Sequence, residues 1–280
     1  MTALLCATAI DLGYPRDQGW QSVLEGFDLQ VSAGEVVSIL GPSGVGKSSL
    51  LRVLAGLQVP HKGQISIAGE AIDGTHPRVA VAFQDPSLLP WLSLEKNVAF
   101  GLDFGSQPAL SSTEHKARVD QAIAEVGLND ARTYYPAQLS GGMAQRTALA
   151  RCLARHPLVL LLDEPFGALD EVTRADMQEL LLEVTARHNT AAVLITHDID
   201  EALLLSSRIL LLGDTPARTV GEWHINLPQP RAEQVEEMGA LRVEILKTLR
   251  RASRNPKPGT KSLESPEDGH VPGRLHSHAS

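Results

Sequence analysis

Three short runs of the chain are continuously apolar, and each ends in, or is followed by, glycine or charged residues. They are EVVSIL at residues 35–40, LVLLLDEP at residues 158–165 and AAVLITHD at residues 191–198. A strand that is apolar on both sides fits a parallel sheet with helices on both faces. The pattern therefore predicts an α/β layered core. Ligands of such sheets bind at the carboxyl ends of the strands, where these polar residues lie.

The remaining apolar positions predict helices at two places. Helical spacing begins directly after the loop that follows residues 35–40, and it returns in the stretch that we assign to a helical subdomain, about residues 86–156. The apolar residues with this spacing are Leu50, Leu51, Leu54, Val119, Ile123 and Val126.

Shorter apolar patterns predict the strands of a side sheet. The composition of the last residues does not predict a packed structure. The opening MTALLCATAIDLGY, residues 28–31 and residues 64–67 have the pattern of strands. We expect one domain over residues 3–250. Residues 251–280 are rich in Pro, Gly, Ser and charge, which predicts a disordered tail. A metal site in this tail is the less favoured interpretation of its histidines, which are His270, His276 and His278.

Composition narrows the function classes. The chain has 280 residues, a net charge of −8 and two cysteines, Cys6 and Cys152. The negative charge argues against a nucleic-acid partner, and so few cysteines exclude a disulfide scaffold or a metal knuckle, so we expect both to be reduced and buried. The opening lacks the basic residues of a signal sequence, and no segment has the length of a membrane helix. Work at a membrane would depend on a partner.

A glycine-rich loop follows the first apolar run. GPSGVGKS at residues 41–48 matches G-x-x-x-x-G-K-[ST], in which glycines turn several backbone N–H groups toward one phosphate and the following helix adds its positive end. A strand is predicted before this loop and a helix after it, and this context makes a chance match the weaker interpretation. We predict that the loop binds ATP through Gly41, Pro42, Ser43, Gly44, Val45, Gly46, Lys47, Ser48 and the adjacent Ser49.

The second and third apolar runs supply acids and a histidine. Asp163 would bind Mg²⁺ together with Ser48, and Glu164 would act as the general base that polarises the attacking water. The competing interpretation is a solvated acidic turn, which the phosphate loop makes less favoured. His197 could hold Glu164 and the water in line, although a histidine at a strand end is more often structural.

A second anion-binding pattern lies in the predicted helical subdomain. LSGGMAQR at residues 139–146 places Ser140, Gly141 and Gly142 at the start of a helix. An ordinary helix start with a serine N-cap is the competing interpretation. Since this segment is separate from the core that holds the first loop, one nucleotide bound to one chain would not touch both.

Taken together, these motifs resemble the ATP-binding subunits of ABC transporters. GPSGVGKS resembles the Walker A loop, LVLLLDEP the Walker B strand, LSGGMAQR the signature, FGALD the D-loop and ITHD the switch-histidine segment. The resemblance implies an α/β fold, with a RecA-like P-loop NTPase core, an antiparallel β side sheet and a helical subdomain. It also implies ATP and Mg²⁺ as cofactors, and a homodimer in which each ATP lies between Walker A of one subunit and the signature of the other.

The resemblance assigns further residues. Gln84 would be the Q-loop glutamine, contacting Mg²⁺ and water, and Asp170 the D-loop aspartate that communicates across the dimer. Tyr14 is the candidate for stacking on adenine, with Trp20 as its competitor. The signature residues that would act in trans are Ser140, Gly141, Gly142 and Gln145, and the sequence departs from common family residues at Gly167 and Ala144.

The segment at residues 83–102 indicates the kind of transporter. It is rich in apolar residues that include Leu88, Leu89 and Trp91, and in the family this region receives the membrane subunit. A satellite core of the helical subdomain is the competing interpretation. LLPW, NVAFGL and DEPFGALD resemble the nitrate, sulfonate and taurine importers, and related importers of pyrimidine thiamine precursors.

That resemblance implies an ATPase on the cytoplasmic face of the cell membrane, with two transmembrane permease subunits and an external solute-binding protein as partners. The alternatives are an ATPase of a cell-division or lipoprotein-release complex and a DNA-maintenance ATPase. The DNA class usually carries a long coiled coil or a zinc insertion, which this chain lacks. The presence of Lys47, Glu164 and His197 argues against a third alternative, a non-catalytic nucleotide-binding scaffold.

Overall fold

A computed structural model of the protein describes residues 3–16, 19–105, 107–231 and 233–252. Its central sheet has the strand order β10-β9-β3-β8-β7-β6, and the strands are parallel except for β10, which pairs antiparallel with β9. The bounds are β3 Val36–Leu40, β6 Val79–Ala82, β7 Val159–Asp163, β8 Ala191–Ile195, β9 Arg208–Gly213 and β10 Arg218–His224. The three apolar runs are thus neighbouring parallel strands, as predicted.

The second sheet is antiparallel and has the order β2-β1-β4-β5. Its strands are β1 Ala3–Arg16, β2 Gly19–Ser32, β4 Lys62–Ile67 and β5 Glu70–Ile72. The predicted short strand at residues 28–31 is only the end of β2. The first residues of this strand are exposed and lack the alternation of apolar and polar positions on which the prediction rests.

Seven helices occur in the described part of the chain. They are α1 Lys47–Leu54, α2 Leu94–Ala99, α3 Ser112–Glu125, α4 Gly141–Leu153, α5 Glu171–His188, α6 Ile199–Leu205 and α7 Val235–Ala252. Helices α2, α3 and α4 lie in the segment predicted to form a helical subdomain, together with short 3₁₀ turns at Asn129–Ala131 and Pro136–Gln138. Helix α7 extends two residues beyond Arg250, into the predicted tail; residues 253–280, with their three histidines, lie outside the described residues.

The central sheet divides two hydrophobic cores. Along β7, Val159 and Leu161 pack into the core that also holds α1 and the side sheet, whereas Leu160 and Leu162 pack into the core that holds the helical subdomain. This alternation explains why the strand sequence is apolar throughout. Asp163, the last residue of β7, is only half-buried, so the strand ends in polar residues at the edge of both cores.

One expectation from composition is modified by the fold. Cys152 is buried, and burial raises the pKa of its thiol to about 11, but Cys6 is only half-buried. Both are free cysteines. Within the described residues no helix is long and apolar enough to cross a membrane, and no group of three or more His, Cys, Asp or Glu side chains is arranged to hold a metal.

Candidate functional site

The glycine-rich loop connects β3 to α1, as predicted. Gly44 and Gly46 have φ angles of +78° and +107°, which L side chains rarely adopt, and a Cβ on Gly46 would lie 2.8 Å from Val23 Cγ1. Glycine at these positions lets the backbone turn back over the start of α1. The first N–H groups of α1 have no partner within the helix, so the loop and the helix end together form an anion-binding surface.

Lys47 crosses the inside of this loop. Its ammonium group donates hydrogen bonds to the carbonyl oxygens of Gly41 at 2.8 Å and Pro42 at 3.1 Å. Burial lowers the pKa of Lys47, and the negative charges of Glu164 and Asp163 partly oppose this change. A cation is therefore held where the phosphate loop and the acidic end of β7 meet.

Asp163 forms the last residue of β7 and faces the start of α1. Burial raises the pKa of Asp163, and the nearby Ser48 hydroxyl partly opposes this change. A hydroxyl and a carboxylate are the hard oxygen ligands that Mg²⁺ prefers, and a cation there would offset the cost of burying the charge. The two residues therefore fit the predicted metal role.

Glu164 points into the same cleft through an unusual backbone conformation. Its φ angle is +47°, and its N–H donates to the Ile195 carbonyl at 2.8 Å across the parallel pair of β7 and β8. Left-handed backbone at a non-glycine residue costs about 1 kcal/mol or more and is typical of functional sites. The turn directs the carboxylate toward the phosphate loop instead of along the strand.

His197 follows β8 and lies beside this carboxylate. Its Nδ1 is 3.3 Å from Glu164 Oε1, and its ring is largely exposed. The predicted pair of acid and histidine is therefore formed by the ends of two neighbouring strands. Behind it is a cavity of about 90 Å³ whose lining includes Arg174, Thr196 and Glu201.

Glu201 is a feature of this site that the sequence did not indicate. It is 6% exposed and burial raises its pKa, while the side chains of Thr196 and Gln178 partly oppose this change. Its spacing in α6, three residues before Leu204 and four before Leu205, was a usable sign that it lies on the buried side of that helix.

The cleft over the phosphate loop has a volume of about 410 Å³, and Tyr14 forms one of its walls. The Tyr14 hydroxyl lies 2.8 Å from Ser49 Oγ. Trp20, its competitor for the adenine role, stacks on His61 with ring centroids 4.1 Å apart and does not line the cleft. This placement favours Tyr14 as the adenine contact.

The signature segment lies apart from that cleft. Ser140 caps α4, and its hydroxyl accepts a hydrogen bond from the Met143 N–H at 3.2 Å. Gly142 packs tightly on the next helix, since a Cβ there would lie 2.4 Å from Thr173 Cγ2. The described residues that line the phosphate-loop cleft include none from residues 139–146, so one chain does not close both loops on one nucleotide.

Gln145 differs from its predicted role as a signature residue facing a second subunit. It is 5% exposed, and its side-chain amide donates to the backbone carbonyl of Gln84 in the same chain at 2.8 Å. The spacing carried this information, because Gln145, Leu149 and Cys152 occupy positions i, i+4 and i+7 of α4 and share its buried face.

Gln84 and Asp170, the predicted Q-loop and D-loop residues, contact other parts of the site. Gln84 is exposed after β6, and its Nε2 lies 3.6 Å from the position of a Cβ on Gly167, just beyond Glu164. That spacing leaves room for the serine common in the family. Asp170 caps α5 by accepting the Thr173 N–H at 3.1 Å, and hydrogen bonds from Thr173 lower the pKa of Asp170.

The apolar segment at residues 83–102 is exposed at its centre. Trp91 is 69% exposed, while Leu88 and Leu89 are half-buried. Asn97, which is fully buried, fixes this segment by accepting from the Leu89 N–H and donating to backbone carbonyls on both sides of Trp91. A rigid backbone therefore presents the tryptophan to solvent, which disagrees with the interpretation of a satellite core for Trp91 itself.

Two proteins of similar sequence are named as ATP-binding proteins of transport systems. An aliphatic sulfonates import ATP-binding protein of Xanthomonas axonopodis is 47% identical over 219 residues, which cover 78% of this chain and 86% of that protein. A bicarbonate transport ATP-binding protein of Synechocystis is 44% identical over 243 residues, 85% of this chain and 36% of that longer protein.

Structural similarity and the family comparison lead to the same assignment. The ATP-binding cassette MJ0796, solved as a dimer in a post-hydrolysis state with ADP and Pi, has a TM-score of 0.68 and 29% identity over 80% of this chain and all of that one. A family model described as ABC transporter matches residues 24–167. With the phosphate loop, the Glu164 and His197 pair and the separate signature helix in place, the chain belongs to the ABC transporter family, as an ATP-binding protein.

Proposed function

We propose that this protein is the ATP-hydrolysing subunit of an importer for a small solute, of the kind represented by sulfonates, taurine, nitrate or bicarbonate. The observation that carries the proposal is the meeting of Lys47, Glu164 and His197 at the phosphate-loop cleft, while the signature loop lies elsewhere on the chain. The relatives named above are import or transport proteins for aliphatic sulfonates and bicarbonate.

In the proposed reaction, the backbone N–H groups of the loop and the Lys47 ammonium bind the phosphates of ATP. Glu164 accepts a proton from water as the water oxygen bonds to the γ-phosphorus, and the bond to the bridging oxygen breaks to release ADP and phosphate. His197, in contact with Glu164, orients the carboxylate and the terminal phosphate.

Mg²⁺ is part of the proposal, with Ser48 and Asp163 as its protein ligands and Gln84 as a third contact. When bound, it would neutralise charge on the phosphate oxygens. The proximity of the Ser48 hydroxyl to the Asp163 carboxylate, and the oxygen chemistry of both, support this assignment.

The dimer follows from the separation of the two loops. We propose that a second copy lays Ser140, Gly141 and Gly142 over the nucleotide held at the first copy's phosphate loop. The positive N-terminal end of α4 would then face the terminal phosphate. ATP would hold the dimer closed, and loss of the γ-phosphate would open it. The dimeric state of MJ0796 supports this arrangement.

The proposed location is the cytoplasmic face of the cell membrane, where two permease subunits would dock on the surface around Trp91. An external solute-binding protein would deliver the solute to those subunits. The exposure of Trp91 on a backbone fixed by Asn97 supports a protein partner at this face.

The Glu164→Gln variant tests the catalytic part of the proposal. It keeps the shape of the side chain but removes the base, so we expect ATP binding within about twofold of wild type and a 10²- to 10⁴-fold lower kcat, the range that a general base supplies. We also expect an ATP-dependent dimer in size-exclusion chromatography. Glu171→Gln, which changes an exposed acid on α5, is the matched control. Undiminished turnover in Glu164→Gln would remove Glu164 as the base.

A further inference from the structure

The signature helix α4 is attached by side chains to the strand and loop that carry Gln84. Gln145 donates to the Gln84 carbonyl at 2.8 Å, and the Cys152 thiol donates to the Val81 carbonyl at 3.4 Å. Arg151 donates to the carbonyls of Pro86 at 2.7 Å and Ser87 at 3.0 Å. These contacts together form what we call the α4 clamp.

The spacing of the Gln145 and Cys152 contacts explains why these two form together. From Gln145 to Cys152 the helix rises about 10.5 Å. From Val81 to Gln84 an extended chain spans about 10 Å. The helix and the chain therefore run side by side with matched lengths, so both ends of the pairing are satisfied at once. A shift of one would break several hydrogen bonds of the other.

Gln145 lies among apolar side chains. The cavity beside it has a volume of about 20 Å³, and its other lining residues are apolar, among them Leu149, Leu162, Phe166 and Met177. These side chains offer the amide no hydrogen-bond partner. The amide is therefore directed to the Gln84 carbonyl, and a polar side chain at this buried site serves that contact.

From these contacts we propose that Gln145, supported by Arg151, is a positioning residue that holds the Gln84 side chain in place at the catalytic cleft. The inference rests on the proposed role of Gln84 at the nucleotide. Because α4 begins at Ser140, the same clamp makes the position of Gln84 depend on that of the signature. A second subunit that engages Ser140 would thereby act on the cleft of the chain that carries it.

The test compares Gln145→Met with wild type in the purified full-length chain. Methionine keeps the length and burial of the side chain but cannot donate to the carbonyl. We expect kcat for ATP hydrolysis to fall roughly three- to tenfold, the effect of one lost hydrogen bond. Nucleotide affinity without Mg²⁺ should stay within about twofold, and the Mg²⁺ concentration at half-maximal activity should rise, because Gln84 is a predicted metal contact.

Thr147→Val is the matched control. Thr147 is also fully buried on α4, but its hydroxyl donates to the Met143 carbonyl of its own helix. This variant should keep the wild-type kcat and Mg²⁺ requirement even where it lowers the thermal midpoint.

A double-mutant cycle separates positioning from a general effect on stability. In a Gln84→Ala background the side chain that Gln145 positions is gone, so Gln145→Met should reduce kcat no further. An equal reduction in both backgrounds, or a wild-type kcat for Gln145→Met alone, would overturn the inference. If Gln145→Met does not fold, Arg151→Met is tested in the same cycle, since methionine donates to neither carbonyl. A wild-type chain that hydrolyses no ATP would instead refute the proposed function.

Discussion

Some residues at the cleft could be predicted from the sequence, and others could not. Glu164 and His197 directly follow apolar strands, and their contact at 3.3 Å agrees with the predicted pairing. Glu201 was missed, because the acid directly before it in α6, Asp200, is exposed. Together with Thr196 and His197, Glu201 lines the cavity beside Glu164. We expect it to influence stability in a way that depends on pH.

The Glu201→Gln variant should have a higher thermal midpoint than wild type at neutral pH. Burial raises the pKa of Glu201 above its ordinary value of 4.5, so the folded state favours the protonated carboxyl. As pH rises from 4.5 through the raised pKa, the unfolded chain loses this proton first, and the folded state loses stability. Glutamine carries no such proton. The difference between the two midpoints should therefore shrink as pH falls toward 4.5.

Thermal unfolding of both proteins across this pH range makes the measurement. Glu179→Gln, an exposed acid on α5, is the control and should show a difference that does not grow with pH. A Glu201→Gln midpoint that stays below wild type at neutral pH would show that the hydrogen bonds of the carboxylate outweigh its burial.

At the scale of an element, Ser140 at the start of α4 has two roles, one structural and one proposed for binding. Ser140 accepts the Met143 N–H as an N-cap, which was the structural interpretation of the motif, and it stands at the helix end that we propose to face a neighbour's nucleotide. The two interpretations do not exclude each other. They predict different responses to substitution.

Ser140→Asp and Ser140→Ala separate the cap from the phosphate contact. Aspartate caps a helix as well as serine does, so Ser140→Asp should unfold at about the wild-type midpoint. Its charge would repel the triphosphate, so ATP turnover should fall by at least about 10²-fold. Ser140→Ala should lose about 1 kcal/mol of stability but keep more of the turnover. Chemical denaturation and ATPase assays on both variants make the comparison, and an active Ser140→Asp protein would contradict the trans arrangement.

At the scale of the whole molecule, α4 contacts the segment that leads from the cleft toward Trp91. Gln145 bonds the Gln84 carbonyl, and Arg151 bonds the carbonyls of Pro86 and Ser87, the latter four residues before Trp91. A partner bound at Trp91 would therefore contact the segment that leads to the cleft.

Trp91→Asp should uncouple the protein from its membrane partner without affecting its own chemistry. The side chain is exposed, so we expect the thermal midpoint and the ATPase rate of the isolated chain to stay near wild type. A central aromatic residue in an interface contributes about 2 kcal/mol or more, so affinity for the membrane subunits should fall about thirtyfold. Recovery in washed membranes measures this. Val59→Asp, at another exposed apolar residue, should bind normally. Equal membrane recovery of the Trp91→Asp and wild-type proteins would reject this docking surface.

The sequence by itself determined the features whose cause is local. Glycines at fixed spacing before Lys47, and acids directly after an apolar strand, act through the few residues beside them, so the phosphate loop, the strand ends and the α/β core could be predicted. The tertiary structure decided what depends on packing between distant segments. Gln145 meets Gln84 across 61 positions and Tyr14 meets Ser49 across 35, and only the packing of β6, α4 and the side sheet brings these pairs together. That is why the direction of Gln145, and the placement of Tyr14 at the cleft with Trp20 away from it, came from the fold.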